Sequence, residues 1–416
     1  MFKVTFFRRF IFFILCSMCF FFIIEAQKKN FEYSYYGFVR GDLYYNSRSN
    51  VEVVDGLFYL FPKDISVDAD GKDLNATSNG SFYTFTTRLG LDIKGPDVGA
   101  AKTSAKIESD FGGTTNLNFV LRLRQAWVKF DWQKGSSILL GQTWHPLFGE
   151  VVPNVLNLST GCPFQPFNRS PLINYQYRQG GWKLNASAIY QLVYLSSGPA
   201  GRSEEYLKNG VLPELYAGID YRGKDFMAGA GVDMMSIKPR LQSTVNPGRT
   251  YRVNERITTV SYDLHAEYAY QKFKVAGKTL LDSNQGHNTM IGGYGISKID
   301  PRTGKQDYTA FRNSTSWLNL TYGAKYQGGL FAGYTKNLGT TDNLLSTTQL
   351  YGMGMDMDQY MQLSLFLRYN LPHWNLGLEY ALSTAWYGDI SLTDGKVGNT
   401  HDVSNHRVEC VFMYTF

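Results

Sequence analysis

Asp263, His265 and Glu267 recur at every second position of a run that reads as a β-strand, so their side chains share one face. Carboxylates and imidazoles are the donors that hold a first-row divalent metal. Alternate residues on a flat strand do not converge on one ion without a further ligand, so a polar stripe is the expected role. His401, His406 and Arg407 gather at a strand entry and read as ordinary surface groups. Gly352-Met353-Gly354-Met355-Asp356-Met357-Asp358 lacks the Lys-Ser/Thr pair and following helix of a phosphate loop. No serine–histidine pairing has the strand placement of a hydrolase nucleophile and its base. The chain is therefore expected not to be an enzyme, and nothing in it asks for a cofactor, a metal or a nucleic-acid partner.

A different chemistry is written in single charges spaced two apart. Arg40 and Asp42, Arg88 and Asp92, Lys102, Lys106, Glu108 and Asp110, then Arg122 and Arg124, each sit in mid-strand beside neutral neighbours of opposite parity. Such lines suit an aqueous wall that guides small solutes by charge. The basic groups outnumber the acids, and along one wall they would favour anions. If they pair with the acids, they form a solvated ladder with little selectivity.

The elements that must carry these lines alternate with period two along most of the chain. Over 82–94, Tyr83, Phe85, Thr87, Leu89, Leu91 and Ile93 are assigned to one face, and Phe82, Thr84, Thr86, Arg88, Gly90, Asp92 and Lys94 to the other. Gln362, Ser364, Arg368 and Asn370 alternate with Met361, Leu363, Leu365, Leu367 and Tyr369. Phase is unclear over 125–132 and 330–338, where a bulge or strand end is expected. The apolar face is modest in bulk and ends in Tyr, Trp and Phe, which fits a lipid-facing stripe between aromatic girdles. A basic group at mid-bilayer costs roughly 2–4 kcal/mol, so the charged face must border water. No open sheet edge survives in lipid, so the strands must close.

Composition agrees. Charged residues are 18% and aromatics 15%, with 29 Tyr and 28 Phe, which is too polar for a bundle of membrane helices. Residues 1–26 have a basic start (Lys3, Arg8, Arg9) and a short apolar run to Ile24, and read as a secretory signal cut near Ala26. Losing Lys3, Arg8, Arg9 and Glu25 takes the formal charge from +6 to +4. Cys16 and Cys19 leave with it; Cys162, in a loop, and Cys410, in a strand, are expected unpaired.

The expected fold is therefore all-β: residues 27–416 form one transmembrane antiparallel β-barrel of about sixteen strands, with long extracellular loops and short periplasmic turns. The strand windows include 182–195, 317–327, 330–338, 374–387 and 404–416, with a short turn at 328–329 and a long polar segment over 388–403. The chain ends with Phe412, Tyr414 and Phe416 on one parity, like the closing strand of an exported barrel. A barrel of sixteen strands leaves an aqueous channel. The expected function is passive diffusion of small polar solutes through the bacterial outer membrane, with membrane lipid as the surrounding partner. The alternative is a non-conducting surface receptor or adhesin with a filled lumen. Segment 145–170 is the candidate constriction, with His145, Glu150, Phe164 and Phe167 as its marked residues, because it is too aromatic and proline-rich for a solvated loop. A lid, or a contact with a neighbouring subunit, is the other reading of that segment.

Tyr36-Gly37-Phe38-Val39-Arg40-Gly41-Asp42 followed by Tyr45-Asn46-Ser47-Arg48 resembles the opening strand of the DcaP-like trimeric porins. Arg88-Leu89-Gly90-Leu91-Asp92, Ile107-Glu108-Ser109-Asp110-Phe111, Leu121-Arg122-Leu123-Arg124-Gln125-Ala126-Trp127 and Leu140-Gly141-Gln142-Thr143-Trp144 follow in that family's order, all within 36–144. The resemblance implies a homotrimer of sixteen-stranded barrels, arginines near a narrow waist, and dicarboxylate-like or other small anionic solutes. His145-Pro146 after the Gln-Thr-Trp element departs from the family pattern.

Overall fold

In a computed structural model of the chain, which describes residues 31–53, 58–114, 117–245 and 248–416, sixteen antiparallel strands close into a barrel. The leader assigned to 1–26 lies outside the described residues. The strands are β1 (Glu32–Asn46), β2 (Asn79–Tyr83 continued by Arg88–Lys94), β3 (Ala101–Thr114), β4 (Leu117–Trp132), β5 (Ser136–Trp144), β6 (Arg169–Gln179), β7 (Trp182–Ile189) and β8 (Glu214–Arg222). They continue as β9 (Phe226–Ile237), β10 (Ile257–Tyr270), β11 (Phe273–Ser283), β12 (Arg312–Gly323), β13 (Tyr326–Gly339), β14 (Met357–Leu371), β15 (Trp374–Ile390) and β16 (Val397–Thr415). Each pairs with its sequence neighbour, and β16 pairs with β1 in register Gly41↔Phe412. That pairing removes the open edge that hydrocarbon would not tolerate.

Outside, the large apolar side chains are exposed: Leu365 is 54% exposed and Leu367 70%, while Ser364 and Phe366 between and beside them are buried. So extensive an apolar belt would aggregate in water, and it is the surface lipid requires. Aromatics ring the end where the turns are short. Trp182 and Tyr221, Tyr326 and Tyr369, and Trp374 and Tyr414 lie with ring centroids 4.9, 5.0 and 5.0 Å apart. Two-residue turns at 180–181, 271–272, 324–325 and 372–373 occupy this end. Gly180 takes φ +58° there, a left-handed turn that glycine enters without steric cost.

Several windows needed correction. The turn expected at 328–329 lies at 324–325, and Gly328 and Gly329 are inside β13. β12 accordingly starts at Arg312, five residues before its expected window. Strand 182–195 stops at Ile189, and the polar segment 388–403 is largely strand, giving β15 and β16 lengths of 17 and 19 residues. In β2 the faces over 82–87 are reversed: Phe82 is exposed, while Tyr83 and Phe85 pack into the interior. The cause is one extra residue. Arg88 pairs with Phe38 and Tyr83 with Asp42, so four residues of β2 span three of β1. The unclear phase near 125–132 has the same origin: Glu108 faces Gln125 and Ser109 faces Leu123, leaving Arg124 as the bulged residue. Over 330–338 the register shift comes only at the far end, where Arg312 faces Gly339 and Asn313 faces Asn337. Alternation is hidden there because the inner face carries Phe331 and Gly333, which seat a loop.

Candidate functional site: the barrel lumen

The connection 145–168 folds into the barrel and crosses its interior. Phe164 stacks on Tyr360 of β14 with ring centroids 5.0 Å apart, and its ring occupies the space a Cβ on Gly333 would take. Leu156 packs on Phe366 and Val411 and fills the corresponding space at Gly377. Two glycines on the inner wall thus act as seats. Buried Glu379 of β15 accepts the Leu156 N–H at 2.6 Å and Asn157 Nδ2–H at 2.5 Å. Arg40 Nη2 donates to the Leu156 carbonyl at 2.6 Å, and Lys278 Nζ to the carbonyls of Leu147 and Phe148 at 2.7 and 2.9 Å. Charge-assisted bonds of this kind are about twice as strong as neutral ones. The hairpin Asn50–Val53 and Phe58–Pro62 of the first long loop folds down over it, with Phe58 edge-on to Phe167 at 4.8 Å.

Glu150 reaches the short-turn end. It meets Lys183 at 2.6 Å, Arg222 at 2.8 Å and Arg178 at 3.5 Å. Burial alone would raise its carboxyl, but hydrogen bonds and charge from these three cations outweigh that and hold it below its ordinary value. Cys162, also on this loop, is free and 1% exposed, and burial pushes its thiol well above the ordinary range. Cys410 is free on the outer face.

The charges singled out on the early strands lie on the inner face, and most are paired. Arg40 meets Asp42 at 2.6 Å, Lys106 meets Asp92 at 2.8 Å, and Arg88 lies 3.8 Å from Glu108. Arg124 contacts Glu108 at 2.8 Å and Asp110 at 2.7 Å, and Arg122 contacts Asp110 at 2.9 Å. Lys102 is exposed near the short-turn end, and its cross-strand neighbour Asp131 pairs with Lys129 at 2.6 Å. These contacts make a ladder of ion pairs along the inner face of the early strands.

Arg169 and Arg202, which the sequence reading passed over, have no carboxylate partner among the described residues. Arg169 opens β6 and is 5% exposed. Its guanidinium lies over Trp144, Phe167 and Tyr194 at 4.7, 5.1 and 5.6 Å from their centroids. One of its nitrogens donates to Tyr194 Oη at 2.9 Å, and Nη1 has no partner. Together with Arg122, Arg124 and Arg202 it borders a cavity of about 410 Å³ whose apolar side includes Leu192 and Val193. Arg169 has the parity of outward Ile173 and Tyr175, so strand alternation alone would send it to lipid. At that end the inward loop and Tyr194 cover it.

Of the remaining marked residues, His145 is buried at the root of the inward loop, and Phe164 and Phe167 are in the apolar cluster that holds it to the wall. Asp263 and His265 join a polar stripe: His265 bridges Asp263 at 2.7 Å and Asp220 at 2.8 Å, while Glu267 turns to Lys274 at 2.6 Å. Gly229 opens the gap for this contact, since a Cβ there would strike Asp220 and His265.

No protein-family model matches the chain, and no curated protein matches it at a significant level. Solved structures do. The outer membrane channel DcaP of Acinetobacter baumannii superposes with a TM-score of 0.62 at 21% identity, over 94% of this chain and 99% of its own. The fold is that of a porin barrel. An anion-selective porin from Comamonas acidovorans has a TM-score of 0.55 at 14% identity, covering 93% of this chain and 100% of its own. OmpT, an outer membrane protein of Vibrio cholerae, has a TM-score of 0.55 at 12% identity, covering 94% and 100%.

Proposed function

We propose that this porin-fold chain is an outer-membrane diffusion channel for small polar solutes and that it favours anions. The observation that carries the reading is the pair of uncompensated arginines, Arg169 and Arg202, bordering the 410 Å³ cavity beside the paired ladder. Fixed positive charge without a matching carboxylate raises the local concentration of anions, and a wall of low polarisability sharpens the effect. The ladder holds its basic groups in place and leaves one positive charge over, since Arg88, Arg122 and Arg124 share Glu108 and Asp110. The inward loop 145–168 narrows the passage, and Glu150, anchored at the short-turn end, keeps it there. The signal-like 1–26 segment delivers the chain to the membrane, the outer apolar belt contacts lipid, and the barrel works as a homotrimer, as the resemblance of residues 36–144 implies.

Single-channel recording in a planar bilayer tests the central claim. Open steps with an anion-favouring reversal potential under a salt gradient support it, and open steps with a cation-favouring one remove the anion preference. The packing of the paired segments 50–53 and 58–62 and of loop 145–168 inside the lumen favours one other reading, a filled barrel serving as a surface receptor. That reading requires no open current. Cross-linking in detergent, with a trimer band expected, tests the assembly separately.

A further inference from the structure

Three buried side chains from three separate segments meet where the inward loop leaves the wall. They are His145, Glu214 at the start of β8, and His287 in the short turn Gly286–Asn288. His145 and His287 lie 69 and 73 residues from Glu214 along the chain, and each is at most 2% exposed. Both Nε2 atoms address one oxygen, Glu214 Oε1, at 3.2 Å from His145 and 2.8 Å from His287. The three potential donor atoms all lie within 4.8 Å of one another.

We propose that His145, Glu214 and His287 form a structural site for one first-row divalent cation of the zinc type, which clasps the root of the inward loop to the wall and to segment 284–311. Two imidazoles and a carboxylate are a common donor set for such ions. Metal–ligand bonds of about 2.0–2.2 Å put tetrahedral donors roughly 3.3 Å apart, so a small outward movement of the His287 ring and Glu214 admits the ion. The polar inventory points the same way. Glu214 Oε2 and His287 Nδ1 are buried without a hydrogen-bond partner, and so is Oδ1 of Asp233 on the adjoining strand β9.

Neither Glu214 nor Asp233 has a lysine or arginine partner among the described residues; Asp233 accepts Gln285 Nε2–H at 2.9 Å, and its carboxyl lies against that of Glu214. Buried carboxylates without a counter-charge are expensive, and a divalent cation offsets both. Glu214 Oε2, which no N–H or O–H donor meets, can bind alongside Oε1, and the ion then also offsets the repulsion between Glu214 and neighbouring Asp233. Coordination through His145 Nε2 requires its proton on Nδ1, so the 3.2 Å contact from the Leu147 N–H gives way on binding. Without an ion, the same residues form a hydrogen-bonded clasp with both imidazoles donating to Glu214.

Cobalt(II) separates these two states. The full chain, stripped with EDTA in detergent, is titrated with Co²⁺ and followed by ligand-field absorption. One equivalent per chain with the intense bands of low coordination is expected. His287→Gln and Glu214→Gln should each weaken uptake at least about tenfold. His401→Gln, a change at an exposed histidine, should leave it intact. No uptake by the unaltered chain, or uptake equal to it in both buried-site variants, overturns the proposal. Folding is checked by heat-modifiable migration on gels. If the variants fail that check, X-ray absorption at the zinc edge of the unaltered, zinc-loaded chain decides: a shell containing two imidazoles supports the site, and no retained zinc or a shell of oxygens alone overturns it.

Discussion

Replacing Arg169 by methionine removes a cation that no carboxylate offsets while keeping a long apolar side chain under Trp144, Phe167 and Tyr194. The effect can be bounded from Coulomb's law. An anion about 5 Å from the guanidinium gains roughly 0.8 kcal/mol at the dielectric of water and roughly 3.3 kcal/mol at an effective value of 20. The cavity beside Arg169 is partly open and carries electrolyte, and at about 0.1 M salt the screening length is about 10 Å, so the lower part of that range applies. A loss of about 1 kcal/mol corresponds to roughly a fivefold fall in the anion-to-cation permeability ratio. Reversal potential across a potassium chloride gradient reads that ratio directly. Arg169→Lys, which keeps the charge but not the planar stack, should restore most of it. The double change Arg122→Gln with Asp110→Asn removes a 2.9 Å ion pair together and should leave the ratio near its starting value. An unchanged reversal potential for Arg169→Met, or an equal shift for the paired double change, refutes the reasoning that the unpaired arginine sets selectivity.

Glu379→Ala strips two charge-assisted acceptors from the inward loop, at about 1–3 kcal/mol for each donor left unmet. Conductance should rise or become noisy while the barrel stays folded, as single-channel recording will show. Gly333→Val places a branched side chain in the Phe164 seat and should produce the same phenotype by a steric route, with a lower melting temperature. Glu150 is held below its ordinary carboxyl value, so its contribution to stability is present above that value and is lost as pH falls through the lowered one. The melting-temperature gap between the unaltered chain and Glu150→Gln should be open at neutral pH and close progressively below about pH 4.5. Cys162, buried with its thiol pushed up, should resist Ellman's reagent at pH 8 in the folded chain and react after denaturation.

The barrel was legible because lipid on one side and water on the other force each strand to declare its faces residue by residue. The Gln362–Asn370 stretch of β14 carries that signal undisturbed. Where one extra residue enters, as at Arg124 or between Tyr83 and Arg88, parity reverses and the local pattern misleads. Where the loop docks, Phe331 and Gly333 make the inner wall apolar too, and contrast between faces vanishes. The interior was less readable for a topological reason. The composition of 145–170 announced a packed loop, but nothing local brings Glu379 to Leu156 across 223 residues, or His287 to Glu214. Arg169 escaped notice because it stands at a strand end, where coverage by loops replaces alternation.

β15 and β16 are 17 and 19 residues long, whereas a tilted strand needs about 9–11 to cross a bilayer. At about 3.3 Å per residue, the surplus carries the 391–396 tip beyond the hydrocarbon, where the Thr340 and Leu344 N–H groups brace it through the carbonyls of Asp394 and Leu392 at 2.6 and 2.7 Å. The rim on that side of the barrel is therefore one buttressed ridge, in which the 391–396 tip and segment 337–344 move together or not at all.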